Sequence, residues 1–131
     1  MSDYTGKVAA VVIPRSEKEK EFLIAKRSDN SEWEFPGGKE DLEIDQDILE
    51  TAEREIMEEL DLDVDAKRSS ENDSFKGGGY DIVPVYAKHS YSDPDTEIKL
   101  VDHTDYKWIN PMNSSLDLEN EIKCLEAFDI L

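Results

Sequence analysis

The spacing of apolar residues predicts the strands of the first half of the chain. Residues 7–14, KVAAVVIP, are apolar and rich in β-branched residues, which predicts a buried strand that ends at the proline. After a polar turn, residues 21–27, EFLIAKR, are predicted to be its hairpin partner. Residues 28–47 are rich in acids and turn-forming residues, which predicts a long loop.

Between residues 48 and 60 the apolar residues recur every three or four positions, which predicts a helix with one apolar face. That face consists of Ile48, Leu49, Ala52, Ile56 and Leu60. Asp47 is a suitable N-cap for this helix. The sequence then predicts a loop over 69–79, a strand over 80–90 and a short strand over 106–111. Pro84 should mark a bulge or a sheet edge. A final helix is predicted over 116–131, so the order β, β, α, β, β, α indicates an α/β fold with a mixed sheet.

The charge balance limits the possible partners. The 131 residues fit one domain, and 33 acidic residues against 15 basic ones give a formal net charge of −18. Such a surface repels nucleic acid and anionic membranes, so neither is a predicted partner. A small anionic substrate meets the same repulsion. Phosphate chemistry would therefore need divalent metal or a few well-placed basic residues.

Cysteine content and apolar runs indicate a cytoplasmic protein. Cys124 is the only cysteine, which excludes an intrachain disulfide, and we expect it to be a small core residue of the last helix. The first residues, MSDYTGK, do not resemble a signal peptide, and no apolar run approaches the ~18 residues of a membrane span.

Three glutamates extend away from the apolar face of the first predicted helix. Ala52 lies at the centre of that face, and each residue advances by ~100°. Glu59 then lies about 20° from the centre, Glu55 about 60° and Glu58 about 120°. Carboxylates this close repel one another unless hard divalent cations such as Mg²⁺ or Mn²⁺ bind between them. The alternative is a solvated helix face, because glutamate is a good helix former.

The segment WEFPGGK, residues 33–39, supplies what the acidic helix lacks. Gly37 and Gly38 allow the backbone to approach a ligand closely, and Lys39 adds a cation suited to phosphate. The pairing of this turn with the acidic helix is much more specific than either half alone.

Together, WEFPGGK and REIMEEL, residues 54–60, resemble the Nudix box, written G-x5-E-x7-R-E-U-x-E-E-x-G-U with U aliphatic. In particular they resemble the box of MutT-type nucleoside triphosphate pyrophosphohydrolases. The resemblance implies a single domain over 1–131 with an α/β/α sandwich, in which the mixed β-sheet lies between helices. It also implies metal-dependent hydrolysis of nucleoside diphosphate-linked compounds.

The resemblance assigns roles to individual residues. Gly38 matches the opening glycine, and the R-E-U-x-E-E core is matched by Arg54, Glu55, Ile56, Glu58 and Glu59. The implied ligands of Mg²⁺ or Mn²⁺ are the three glutamates and the Gly38 carbonyl. Arg54 would orient a carboxylate, and Lys39 would contact substrate phosphates. Either Glu55 or the loop acid Asp102 would take a proton from the attacking water, although Asp102 is equally compatible with an ordinary loop residue.

Two positions depart from the family pattern. Fifteen residues separate Gly38 from Arg54, two more than the pattern, so its isolated glutamate has no unique counterpart. Glu43, Asp45 and Gln46 compete for that place as the partner of Arg54, and we favour Glu43. Asp61 replaces the last glycine and would need a left-handed backbone at the helix end.

The resemblance also implies residues that bind the nucleotide. Arg27 would lie near it, and Asn120 would contact a purine edge, with a surface arginine and a helix cap as the plainer alternatives. Phe35 and Tyr80 are candidates for stacking on the base, although a core role is equally compatible with Phe35. His89 and His103 lack partners at metal-ligand spacing and are predicted to have no catalytic role, although His103 adjoins Asp102.

The implied substrate is a nucleoside triphosphate or deoxynucleoside triphosphate, including oxidised purines such as 8-oxo-dGTP, cleaved to monophosphate and pyrophosphate. Tyr80 after three glycines resembles a marker of diadenosine polyphosphate hydrolases, which makes that activity the first alternative. A house-cleaning enzyme with broad nucleotide tolerance is another. A noncatalytic nucleotide-binding module on the same scaffold is the alternative outside enzymes. The protein is expected to be a monomer or a homodimer.

Overall fold

The computed structural model of the protein describes residues 6–15, 20–77, 79–101 and 103–130. The strands in this part of the chain are β1 (Lys7–Val12), β2 (Phe22–Arg27), β3 (Trp33–Glu34), β4 (Gly37–Lys39), β5 (Val64–Ser69), β6 (Phe75–Gly77), β7 (Tyr80–His89) and β8 (His103–Ile109). The helices are α1 (Ile48–Leu60) and α2 (Glu119–Ala127). Short 3₁₀ turns occur at Glu71–Asp73, Pro94–Thr96 and Pro111–Asn113.

The strands form two sheets. The first has the order β4-β1-β7-β5, and β6 also pairs with β7. Within it β1 and β7 are parallel, whereas the other pairs are antiparallel. The second sheet has the order β3-β2-β8 and is antiparallel throughout. The prediction of a mixed sheet is confirmed.

The bounds of α1 follow from caps that the sequence encodes. Asp47 accepts a hydrogen bond from the backbone N–H of Glu50 at 2.9 Å, as an N-cap should. At the other end Asp61 adopts the left-handed conformation, with φ 51° and ψ 32°, and its N–H donates to the Met57 carbonyl. Asp61 therefore replaces the family glycine without lengthening the helix.

The two helices cover opposite sides of the β1 sheet. On one side the apolar face of α1, including Ala52 and Ile56, packs in a cluster that contains Val11 of β1. On the other side Cys124 of α2 packs in a cluster that contains Val12. Because neighbouring residues of a strand face opposite sides, β1 contributes to both cores. The predicted α/β/α sandwich is confirmed. Cys124 is the expected core residue, and burial raises its pKa to about 12.

The predicted hairpin of the first two strands is only partly formed. Arg15 donates its N–H to the Glu21 carbonyl and Leu23 donates to the Ile13 carbonyl, so the segments pair beside their connection. Beyond it β1 and β2 diverge into different sheets. A run of apolar and β-branched residues identifies a strand, but it does not specify which strand is its partner.

Other element predictions were wrong in detail. The predicted loops contain β3, β4 and β6, and β5 was not predicted. Pro84 was expected at a bulge or a sheet edge, but it lies within the central strand β7. On one side of β7 the pairing with β5 ends opposite Val85, and the pairing with β6 begins opposite Ile82, so Pro84 lies between the two. The final helix is shorter than the predicted range. Neither helix in the described part of the chain is long and apolar enough to cross a membrane.

Candidate active site

The glycine turn and α1 meet through close backbone contact. A Cβ atom on Gly37 would lie 1.8 Å from the Ala9 carbonyl oxygen of the neighbouring strand. A Cβ atom on Gly38 would lie 2.2 Å from a carboxylate oxygen of Glu55. Any larger residue at either position would have to displace the strand or the carboxylate. The two glycines therefore allow the WEFPGGK segment to sit directly against the acidic side of α1.

Arg54 is held by Asp45 rather than by the favoured Glu43. Its Nε donates to Asp45 Oδ1 at 3.0 Å and its Nη2 donates to Oδ2 at 2.9 Å. Asp45 also accepts from the Thr51 hydroxyl at 2.8 Å, and its side chain is 4% exposed. Hydrogen bonds from Arg54 hold the pKa of Asp45 well below its usual range. Glu43 is exposed, so the two extra residues move the partner carboxylate two positions along the chain.

The same guanidinium group contacts two glutamates of α1. Arg54 Nη1 donates to Glu55 Oε1 at 2.9 Å and to Glu58 Oε2 at 3.2 Å. The side chains of Glu55 and Glu59 are 15% and 19% exposed, whereas Glu58 is 57% exposed. Glu58, at the largest predicted angle from the apolar face, is the most exposed of the three, whereas Glu55 is slightly more buried than Glu59 although its predicted angle is larger. Burial raises the pKa of Glu55 above its usual range, although Arg54 opposes the shift.

Glu55, Glu58 and Glu59, called the glutamate arc below, fit a hard divalent cation. All three offer carboxylate oxygens, the donors that Mg²⁺ and Mn²⁺ prefer. Glu55 and Glu58 already converge on one cationic atom, Arg54 Nη1. Across the described ranges, no three acidic, histidine or cysteine side chains are gathered closely enough to form a ready metal site. The three carboxylates therefore suit such a cation chemically. In this structure two of them, those of Glu55 and Glu58, accept hydrogen bonds from Arg54 instead.

Lys39 lies beside this arc and contacts Tyr80. Lys39 lines a cavity of about 590 Å³ together with Arg54 and Glu55. Its Nζ is 4.6 Å from the ring centroid of Tyr80, at the start of β7. Lys39 thus brings a positive charge next to the predicted metal ligands.

A second cavity, called the acidic cleft below, lies between the β3 segment and the start of α2. Its volume is about 390 Å³, and its lining consists of Ser31, Glu32, Trp33, Glu34, Leu116, Asp117, Glu119, Asn120 and Glu121. Asn120 is therefore at a cleft, as its predicted role requires. Sequence reasoning missed Trp33 and Glu121. Burial raises the pKa of Glu121 to about 7, so its carboxyl group is largely neutral below that pH.

Arg27 and Phe35 are less available than predicted. Arg27 donates to both oxygens of Asp29, at 2.8 and 2.6 Å, and to Glu34 at 3.4 Å. These carboxylates raise its pKa further. Phe35 is 4% exposed and packs edge-on against Phe22, with ring centroids 6.5 Å apart. Of the two roles open to Phe35, its surroundings match the core role.

The start of β8 contains a feature that the sequence did not reveal. Asp102 lies outside the described residues. The next residue, His103, has a side chain that is only 4% exposed and lies between Glu34 and Glu59. The carboxylates of Glu34 and Glu59 beside the ring raise the pKa of His103 above its usual range. The sequence signal was weak, because both carboxylates come from distant segments.

The model of the NUDIX domain matches residues 5–123. The chain belongs to the NUDIX domain family. As a member of this family it is a Nudix pyrophosphohydrolase, a hydrolase of nucleoside diphosphate-linked compounds. No curated protein sequence is significantly similar to it.

Several solved structures have a similar fold. The Escherichia coli ORF135 protein is 25% identical, with a TM-score of 0.67 over 94% of this chain and 87% of that one. The Caenorhabditis elegans Ap4A hydrolase in a binary complex is 23% identical, with a TM-score of 0.68 over 95% and 96%. The MutT protein of Methanosarcina mazei Go1 is 22% identical, with a TM-score of 0.68 over 94% and 92%. These similarities support the Nudix fold. The names of the three proteins do not share one activity, so the similarities do not identify one substrate class.

Proposed function

We propose that this Nudix enzyme hydrolyses a nucleoside triphosphate or deoxynucleoside triphosphate to the monophosphate and pyrophosphate. The observation that carries this proposal is the convergence of Glu55 and Glu58 on one guanidinium atom, beside Lys39. A cluster of acids with a single lysine suits a substrate that carries both phosphate and bound divalent cations. The MutT-type resemblance of the WEFPGGK segment supports the same choice.

The residues of the arc have separate tasks in this proposal. Glu55, Glu58, Glu59 and the Gly38 carbonyl would hold Mg²⁺ or Mn²⁺. Such ions, when bound, would neutralise charge on phosphate oxygens and lower the pKa of water. Lys39 contacts a phosphate and orients it toward the arc. Asp45 fixes the guanidinium group of Arg54, which in turn restricts the positions that Glu55 and Glu58 can take.

The proton of the attacking water needs an acceptor near the arc. Glu55 is one candidate, because its raised pKa makes it a better base than an ordinary carboxylate. Asp102, whose role the family resemblance implies, is the other. Glu55→Gln and Asp102→Asn variants, assayed over a range of pH, would distinguish the two. The base is the residue whose loss removes the acidic limb of the rate profile.

The acidic cleft is the proposed site for the nucleoside. Five of its nine lining residues are acidic, so it offers many hydrogen-bond acceptors and few donors. A guanine edge presents N1–H and N2–H₂ donors, whereas adenine presents a single amino group. The partly neutral carboxyl of Glu121 can both donate and accept. We therefore expect a guanine nucleotide, with 8-oxo-dGTP included, to be preferred over an adenine nucleotide.

A diadenosine polyphosphate is the second candidate substrate. The contact between Lys39 and Tyr80 favours it, because Tyr80 lies beside the cation proposed to bind phosphate. The products distinguish the two activities. A dinucleotide substrate releases two nucleotides, whereas a triphosphate releases one nucleotide and pyrophosphate.

The test is a panel of nucleoside triphosphates, 8-oxo-dGTP, diadenosine polyphosphates and ADP-ribose, each incubated with Mg²⁺ or Mn²⁺. Glu58→Gln should reduce turnover by about 100-fold or more, as expected for loss of a metal ligand. Glu50→Gln, the same substitution on the same helix but outside the arc, should leave turnover nearly unchanged. Absence of turnover with every substrate, at low and high salt, would overturn the proposed substrates in favour of another nucleoside diphosphate-linked compound.

A further inference from the structure

One imidazole joins the glutamate arc to the acidic cleft. His103 Nδ1 lies 3.7 Å from Glu59 Oε2, and His103 Nε2 lies 3.5 Å from Glu34 Oε2. Glu59 belongs to the arc, whereas Glu34 lines the cleft. The two ring nitrogens of His103 therefore face carboxylates from two different functional regions.

The main chain already holds the start of β8 in place without the imidazole. Val101 donates its N–H to the Glu59 carbonyl at 3.0 Å, and Lys99 donates to the Leu60 carbonyl at 2.7 Å. His103 is also paired with Arg27 in the register of β8 and β2. An apolar residue would fill the same buried space without the cost of burying a polar ring. The imidazole is therefore better explained by its carboxylate neighbours than by the needs of the fold.

Glu34, which faces the Nε2 side of the His103 ring, is itself held in place. Glu34 is contacted by His103 through one carboxylate oxygen and by Arg27 Nη1 through the other, at 3.4 Å. Arg27 is itself fixed by Asp29. This series of contacts restricts the orientation of the ring and keeps Nδ1 directed toward Glu59.

We propose that His103 is a positioning residue that orients the Glu59 carboxylate for divalent cation binding. The inference rests on the proposed function, because it takes the glutamate arc as the cation site. Residues that orient metal ligands commonly change metal affinity by 10- to 100-fold when they are removed. His103 acts through Glu59 in this account, so its effect must disappear when Glu59 can no longer bind the cation.

The test is a double-mutant cycle on Mn²⁺ affinity, measured by electron paramagnetic resonance without substrate or turnover. His103→Ala should raise the Mn²⁺ Kd about tenfold in the otherwise unchanged protein. In the Glu59→Gln background the same substitution should change the Kd less than about twofold. His103→Gln, which preserves side-chain volume, replaces His103→Ala if the alanine variant does not fold. His89→Ala is the matched control and should have no effect in either background.

Each outcome of the double-mutant cycle either supports or overturns the positioning role of His103. Non-additive effects of His103 and Glu59 support the positioning role. A tenfold effect that persists in Glu59→Gln, or no effect in either background, overturns it while leaving the proposed function intact. If the unchanged protein does not bind Mn²⁺, the proposed cation site fails, and the inference fails with it.

Discussion

The glutamate arc and the acidic cleft are both rich in carboxylates, yet they are built in different ways. In the arc, Arg54 hydrogen-bonds to Asp45, Glu55 and Glu58, so the negative charges share one cation. In the cleft, burial raises the pKa of Glu121 to about 7, so its carboxyl group binds a proton more tightly than an exposed carboxylate does. In the arc one guanidinium group thus balances three carboxylates, whereas at Glu121 of the cleft the charge is reduced by protonation. The first arrangement suits cations and phosphate, whereas the second suits a neutral base.

The largest expected effect concerns the close contact between the glycine turn and the arc. Gly38→Ala would place a carbon 2.2 Å from the Glu55 carboxylate, so that carboxylate must move. We expect turnover to fall on the order of 100-fold, because small misplacements of catalytic groups have large effects. Binding of GMP in the cleft, measured by calorimetry, should be retained. If GMP binding fell as much as turnover, the glutamate arc and the acidic cleft would not act independently.

The next effect concerns the partner of Arg54. Asp45→Asn should lower the free energy of unfolding by about 2 kcal/mol, because it leaves a partly buried arginine without its main partner. Glu43→Gln is the matched control and should change it by less than about 0.5 kcal/mol. Urea unfolding of both variants measures the difference. If Glu43→Gln were the more destabilising of the two, the assignment of Asp45 would be wrong.

A smaller effect is expected at the cleft. Asn120→Ala should lower the preference for guanine over adenine nucleotides by about tenfold in kcat/KM, mainly through KM. The arc is unchanged in this variant, so kcat should stay within about twofold. Steady-state kinetics with both nucleotides provides the measurement. A fall in kcat with unchanged base preference would place Asn120 outside base recognition.

The smallest effect is a pH-dependent change in stability at Glu121. Its pKa in the folded protein is about 7, above that of an unfolded chain, so its stabilising contribution is present at low pH and is lost as pH rises toward 7. Glu121→Gln removes this loss. We expect its melting temperature to exceed that of the unchanged protein by about 3 °C at pH 8.5 and to match it near pH 4. Glu119→Gln, with an exposed carboxylate on the same helix, should show no such trend.

Local sequence was sufficient to predict where the three glutamates lie on α1, but it did not predict the cleft. The period of α1, the Asp47 cap and the angles of the three glutamates all follow from residues close together in the chain. The cleft joins residues near 33 to residues near 120, and no local pattern predicts that contact. His103 was missed for the same reason, because its neighbours Glu34 and Glu59 lie far away in sequence.

Errors in the fold also occurred where partners are distant. The strand character of β1 and β2 was clear from their apolar residues, but their separation into two sheets depends on pairing with β7 and β8. Pro84 occupies a central strand because the paired strand changes at that point. The choice of Glu43 over Asp45 had a similar origin, since the loop conformation, rather than residue spacing, brings Asp45 to Arg54.

The most direct test of the account is ³¹P NMR of the products formed from dGTP or 8-oxo-dGTP with Mg²⁺. Our account predicts nucleoside monophosphate and pyrophosphate, with neither formed at a comparable rate by Glu58→Gln. Release of orthophosphate and a nucleoside diphosphate, or no reaction with either nucleotide, would contradict the proposed activity.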